Sequence, residues 1–157
     1  MKPNTTAKID PAAAYTVRIS VGSNRQSKAW RGRDFTWGKL AERLAAPTRT
    51  AETIGAYLKM SRAEQGDIKD VGGYVGGVIR GSRRKKGAMA WRTLVTLDAD
   101  FADDTFLPTV REHLACAWVA HTTHKHTAQS QRYRLIIPTS RPMQIDEFAF
   151  ISRRIAA

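Results

Sequence analysis

Six residues in the second half of the chain have the types and spacing for phosphate or metal chemistry: Asp98 and Asp100, His124 and His126, Arg132 and Arg134. In the run Leu94–Asp100, L-V-T-L-D-A-D, residues two apart share a face of an extended strand. Thr96, Asp98 and Asp100 then point one way, and Val95, Leu97 and Ala99 the other. Two carboxylates held close on one face repel unless a cation sits between them. Mg²⁺ or Mn²⁺ suits that place, because hard divalent ions take carboxylate oxygen. Metals gripped in this way can clamp a phosphoryl transfer. The plainer alternative is a strand end leaving the core with both carboxylates solvated, since D-x-D alone is a weak pattern.

All four histidines fall between residues 113 and 126, three of them in the run H-T-T-H-K-H that starts at His121. On an extended segment His124 and His126 share a face; His121 takes the opposite parity and reads as structural. An imidazole beside a metal-bound triphosphate can donate to a phosphate oxygen or orient one. The alternative is a polar hairpin loop. Arg132 and Arg134 share a strand face, with Tyr133, Leu135 and Ile137 on the other. Paired guanidinium groups suit phosphate better than a core, although a solvated strand face gives the same pattern. The three sets follow in order within forty-one residues, Leu94–Arg134, at strand-compatible spacing.

The elements that must position these residues follow from the rest of the pattern. A length of 157 residues, 42% hydrophobic, suggests a single domain spanning residues 1–157 with a real core. Lys and Arg number 26 against 14 acids, giving +12, a field that favours polyanions, nucleic acid before anionic membrane. No apolar run approaches the ~20 residues of a membrane span, and the N-terminus lacks the apolar centre of a signal peptide. One cysteine, Cys116, excludes an internal disulfide and a cysteine zinc site and fits a reducing, cytoplasmic setting. Residues 1–13 read as a loose leader. Tyr15–Val21 alternates as a half-buried strand, followed by a basic loop around a second short strand. Thr36 caps a helix with Trp37, Leu40, Ala41, Leu44 and Ala45 on one face, ending before Pro47. A second helix starts near Thr50, and Ser61 with Glu64 forms a capping box. Asp103 and Asp104 open a helix through Leu114. Strands at Ala115–Thr122 and Arg132–Ile137 follow, the latter ended by Pro138. Ile145, Phe148, Ile151 and Ile155 mark a terminal helix.

Residues 70–87, D-V-G-G-Y-V-G-G-V-I-R-G-S-R-R-K-K-G, form a glycine-rich basic loop carrying Arg80, Arg83, Arg84, Lys85 and Lys86. Glycines let backbone approach a ligand, and successive N–H groups can nest an anion. With Tyr74 as a stacking ring, this loop is a candidate for template or primer binding; a flexible surface loop is the alternative. The P-loop pattern is absent.

The order of these motifs resembles the archaeo-eukaryotic primase superfamily: L-D-A-D at 97–100 for its acidic strand and T-T-H at 122–124 for its Ser/Thr-x-His motif. The stretch T-T-H-K-H-T-A-Q-S-Q-R-Y-R-L-I-I-P-T-S-R-P resembles the primase-polymerase-like N-terminal domain of phage and prophage replication proteins of the virulence-associated protein E type. T-R-T-A-E-T, K-D-V-G-G-Y-V-G-G and R-R-K-K-G extend the likeness upstream, over about residues 15–155. The resemblance implies an α+β fold, an RRM-like antiparallel sheet with helices packed on one side, preceded by an N-terminal αβ portion. It implies template-directed nucleotidyl transfer with nucleoside triphosphates, by a two-metal mechanism. Asp98 and Asp100 would hold Mg²⁺ or Mn²⁺. His124 would join them in catalysis, and His124 or His126 would bind the triphosphate with Arg132 and Arg134. Single-stranded or primed DNA would be the partner, with a helicase domain or partner protein beside it. The family's third acid follows the helix that closes this chain; Asp146 and Glu147 are acidic but open that helix. The resemblance therefore implies a core truncated at its C-terminus.

Two rivals remain. A non-enzymatic nucleic-acid-binding module would lack the third carboxylate. A histidine-hydrophobic-histidine initiator nuclease would need a hydrophobic residue where Lys125 stands and a helical tyrosine, for which Tyr57 is the candidate.

Overall fold

In the computed structural model, which describes residues 5–8 and 14–157, the alternating segment after Tyr15 is a strand, β2 (Thr16–Gly22), preceded by a short strand β1 (Thr5–Lys8). β2 is the middle of a three-stranded antiparallel sheet between β3 (Arg31–Thr36) and β4 (Gly73–Val75). A five-stranded antiparallel sheet runs β1, β7 (Trp118–Thr122), β8 (Gln131–Met143), β6 (Met89–Ala102), β5 (Gly77–Ile79). Five helices are present among the described residues: α1 (Trp37–Ala45), α2 (Ile54–Lys59), α3 (Arg62–Ile68), α4 (Phe106–His113) and α5 (Ile145–Ala156). None is long and apolar enough to cross a membrane.

Local chemistry sets the helix starts. Thr36 and Thr53 accept hydrogen bonds from the N–H groups of Lys39 and Ala56, at the starts of α1 and α2. Ser61 and Glu64 close a reciprocal capping box on α3. Each cap satisfies amide groups that have no partner inside the helix.

The large sheet is packed on both faces. On one face Leu94, Val119 and Ile136 meet Val17 and Ile19 of β2 and Trp37, Leu40 and Ala41 of α1. On the other, Val95, Trp118, Ala120, Leu135 and Ile137 meet Val110 of α4 and Phe148, Ile151 and Ile155 of α5. Burial of such side chains stabilises the fold by roughly 1.5–3 kcal/mol each. Cross-links tie the sheets together: Thr93 donates to the Arg18 carbonyl at 2.8 Å, and the Ile79 amide donates to the Ser20 hydroxyl at 3.2 Å. The cover over the first face ends beyond Leu94, so the same strand carries Asp98 and Asp100 into solvent.

Three expectations are corrected. Within residues 1–13, Thr5–Lys8 is not a loose leader; it pairs with β7 from Thr5↔His121 to Lys8↔Trp118, while the rest of that segment lies outside the described residues. A ladder uses backbone groups, so T-T-A-K can pair without an apolar alternation. The glycine-rich segment 70–87 contains β4 and β5 and is a free loop only around its basic tip. A Cβ at Gly76 would sit 2.7 Å from Leu94 Cβ, and one at Gly77 would sit 2.1 Å from the Trp91 carbonyl oxygen. These glycines let backbone approach the protein's own strand, where an anion nest was expected. Finally, β8 runs through Pro138 to Met143, and β7 begins at Trp118, not at Ala115. β7 covers β8 only from Tyr133 to Ile136. Pro138 therefore lies where one side of β8 has no neighbour among the described strands, and a missing N–H is tolerated there.

Candidate functional site

The antiparallel register of β6 and β8 sets Asp98 directly opposite Arg134. Residues so paired share a face. Arg134 grips Asp98 with two prongs, Nε to Oδ1 at 2.7 Å and Nη2 to Oδ2 at 3.0 Å. Two residues on, Arg132 Nη1 donates to Asp100 Oδ1 at 2.9 Å. The predicted acidic pair and the predicted arginine pair are therefore one cluster, and the cations lying against the carboxylates are guanidinium groups. The bond to Asp98 raises the Arg134 pKa against the opposing effect of burial.

A third strand extends the row. His121 of β7 pairs with Arg134, so Asp98, Arg134 and His121 line up across β6, β8 and β7. His121, read from sequence as lying on the other side, is on the site's face. Its Nδ1 lies 3.0 Å from the Thr122 carbonyl oxygen, and burial lowers its pKa, which favours the neutral ring. Tyr74 approaches the row from β4. Its ring packs against the first core cluster, and its hydroxyl is buried without a hydrogen-bond partner among the described residues. Burial pushes that hydroxyl up to about 12, with Arg134 lowering it and Asp98 raising it. The expected stacking platform is thus mostly covered, and Tyr74 borders the ion pairs.

The histidine run is not extended. The Thr123 amide donates to the Arg132 carbonyl at 3.1 Å and the His126 amide to the Thr123 carbonyl at 3.0 Å, which folds residues 123–126 into a turn. His124 and His126 consequently do not share a face. His124 stacks on Tyr57, centroids 4.2 Å apart, and its Nε2 is buried without a hydrogen-bond partner among the described residues. His126 Nδ1 accepts from the Arg132 amide at 3.0 Å, and its ring meets Tyr133 edge-on. Tyr133 and its stacking neighbour Phe106 belong to the opposite face of the sheet, so His126 is built into the hairpin. Tyr57 is fully buried and its hydroxyl donates to the Gln65 carbonyl at 3.3 Å, so it is not the exposed nucleophile an initiator nuclease would need.

The basic cluster lies elsewhere. Arg80, Arg83, Arg84, Lys85 and Lys86 are all exposed on the hairpin between β5 and β6, which the Arg80 amide closes onto the Ala88 carbonyl at 2.7 Å. That hairpin precedes Met89, and Asp98 is nine residues further along β6. At about 3.3 Å per residue the two sites stand roughly 30 Å apart.

Asp98 and Asp100 have the oxygen chemistry for a hard divalent cation and remain about half exposed. They would supply two ligands, and only as the guanidinium groups move aside. Among the described residues no group of three or more His, Cys, Asp or Glu side chains stands ready to hold a metal. Other acids have partners of their own. Asp103 caps Thr105, Asp104 accepts from Gln131, and Glu147 is bound by Arg141 and by the Gln144 amide, which lowers its pKa to about 2. Sequence pattern also passed over Phe101, which stands 96% exposed next to Asp100.

No curated protein and no solved structure matches this chain. The pattern that defines the VapE N-terminal domain does, over residues 2–157. With nearly its whole length inside that match, the chain belongs to the VapE N-terminal domain family.

Proposed function

We propose that this chain performs template-directed nucleotidyl transfer of the primase-polymerase type, in the cytoplasmic replication of phage or mobile-element DNA. One observation carries the reading: two carboxylates are ion-paired with two arginines on the open end of a sheet face, in a chain of net charge +12. The resemblance to primase-polymerase domains assigns these same residues to metal and triphosphate.

The four side chains can exchange partners at little cost. Both ion pairs are partly exposed, and such pairs are worth about 0.2–1 kcal/mol. A triphosphate offers Arg132 and Arg134 stronger, charge-assisted bonds of roughly 1.5–3 kcal/mol each. As the arginines turn to phosphate, Asp98 and Asp100 become free to hold Mg²⁺ or Mn²⁺. When bound, those ions supply charge neutralisation at the transferring phosphoryl group. His124 Nε2 is buried in the turn that bonds the Arg132 carbonyl, and it would donate to a phosphate oxygen only as the ring leaves its stack on Tyr57. The exposed arginines and lysines of residues 80–86 attract the polynucleotide. Primer extension with Mn²⁺ tests the reading: the wild type should incorporate nucleotide, and Asp98→Asn with Asp100→Asn should not. Strong polymerisation by the double variant would overturn the assignment.

A second reading, a nucleic-acid-binding module without catalysis, is favoured by the mutual neutralisation of the carboxylates and arginines. It requires DNA binding that ignores chelators, and no incorporation under any metal. A helicase domain or partner protein fits either reading.

A further inference from the structure

The most exposed large apolar side chain among the described residues is Phe101, at 96%. It follows Asp100 in β6, where the pairing with β8 loses register between Ala99 and Ala102. An irregularity of this kind re-aims side chains at a sheet margin. The Arg132 guanidinium, which holds Asp100, is 5.8 Å from the Phe101 ring centroid. A bare ring, a guanidinium and a carboxylate thus share one corner of the site. Exposing a whole phenyl ring forgoes roughly 1.5–3 kcal/mol of burial, and no core cluster of the described residues claims this one.

We infer that Phe101 is a base-stacking residue, which takes one unpaired nucleobase of a single strand at the edge of the ion-pair cluster. Aromatic rings beside cations are how proteins bind single strands without reading sequence, because every base has a π-face. The +12 charge selects a polyanionic partner over an apolar protein surface. This rests on the reading, common to both functions proposed above, that the chain binds polynucleotide, and it adds a residue that grips a base.

The experiment compares an oligo-dT strand with an abasic deoxyribose-phosphate strand of equal length and charge. Binding is measured for the full chain and for Phe101→Ala, Phe101→Tyr and Phe101→Trp. The wild type should favour the base-bearing strand. Phe101→Ala should lose about 5- to 100-fold for that strand, the ordinary weight of one stacked base, with no change for the abasic strand or in the salt dependence. Phe101→Tyr and Phe101→Trp should keep the preference. The indole emission that Phe101→Trp adds should be quenched by oligo-dT and not by the abasic strand. If a free deoxynucleoside triphosphate gives that quenching and oligo-dT does not, the ring serves the incoming nucleotide and the assignment to the strand is overturned. Equal binding of both strands by wild type and Phe101→Ala overturns it as well. So does a dimer, seen in sedimentation, that Phe101→Ala dissociates. Stacking that persists while nucleotide incorporation is absent would retire the catalytic reading and leave this one standing.

Discussion

At the scale of the residue, opposite charges on neighbouring strands decide what the site does. Arg134 and Arg132 neutralise Asp98 and Asp100, so each side chain competes with a ligand for its own partner. Removing the carboxylates should therefore have two opposite effects. In Asp98→Asn with Asp100→Asn, divalent-metal binding should disappear. Metal-free binding of inorganic tripolyphosphate should tighten by about three- to tenfold, since two arginines lose exposed pairings worth about 0.2–1 kcal/mol each. Calorimetry with Mn²⁺ and with tripolyphosphate measures both. Unchanged tripolyphosphate affinity would remove Arg132 and Arg134 from the phosphate site. Arg134→Lys in that background should keep only part of the gain, because an ammonium cannot reproduce the planar fork. That the two acids share a face, and the two arginines likewise, was legible from strand parity alone. The site's histidines were not: parity holds only while the backbone stays extended, and the turn at Thr123–His126 breaks it and sends His126 to the Tyr133 side, while His121 takes its face from the pairing of β7 with Arg134.

At the scale of the element, apolar period and caps made α1, β2 and the central part of β6 readable in the sequence. β4 and β5 were hidden because glycine carries no side-chain signal, although Gly76 and Gly77 are what allow that run to cross β6. Gly77→Ala should cost about 1–3 kcal/mol, since the new methyl meets backbone with no room to yield; urea unfolding reads it. A loss under about 0.5 kcal/mol would mean the crossing can relax. Helix α5 offers a pH test. Glu147 bonds the Gln144 amide in its capping box and pairs with Arg141, and these hold its carboxyl at about 2, below the ordinary 4.5. A depressed folded-state pKa gives stability that is full above about 4.5 and lost as pH falls towards 2. Glu147→Gln should thus lower Tm at neutral pH, and its difference from wild type should close across that window. The effect is small and salt-sensitive, because the pair is exposed. A difference that persists at about pH 2 would assign the loss to something other than the charge.

At the scale of the molecule, charge is concentrated where the carboxylates are not. The exposed tip Arg83–Lys86 and the Asp98 row stand at opposite ends of β6, roughly 30 Å apart along the strand. Composition announced the attraction to polyanions, but the separation needed the register of β5 on β6. If one polynucleotide touches both ends, strands too short to span that distance when fully extended cannot bridge them. Affinity for oligo-dT should rise with length up to about that span and change slope beyond it. Neutralising Arg83, Arg84, Lys85 and Lys86 together should remove the length dependence. It should also lower the slope of log affinity against log salt by about three, at ~0.7 for each single-strand phosphate left unneutralised. The same variant should bind Mn²⁺ and nucleoside triphosphate as the wild type does, because its charges lie more than a Debye length, ~8–10 Å, from Asp98. A quadruple variant that keeps the full salt slope would move the strand-binding surface to another face. One that loses nucleotide affinity as well would mean that the two ends of β6 work as a single site.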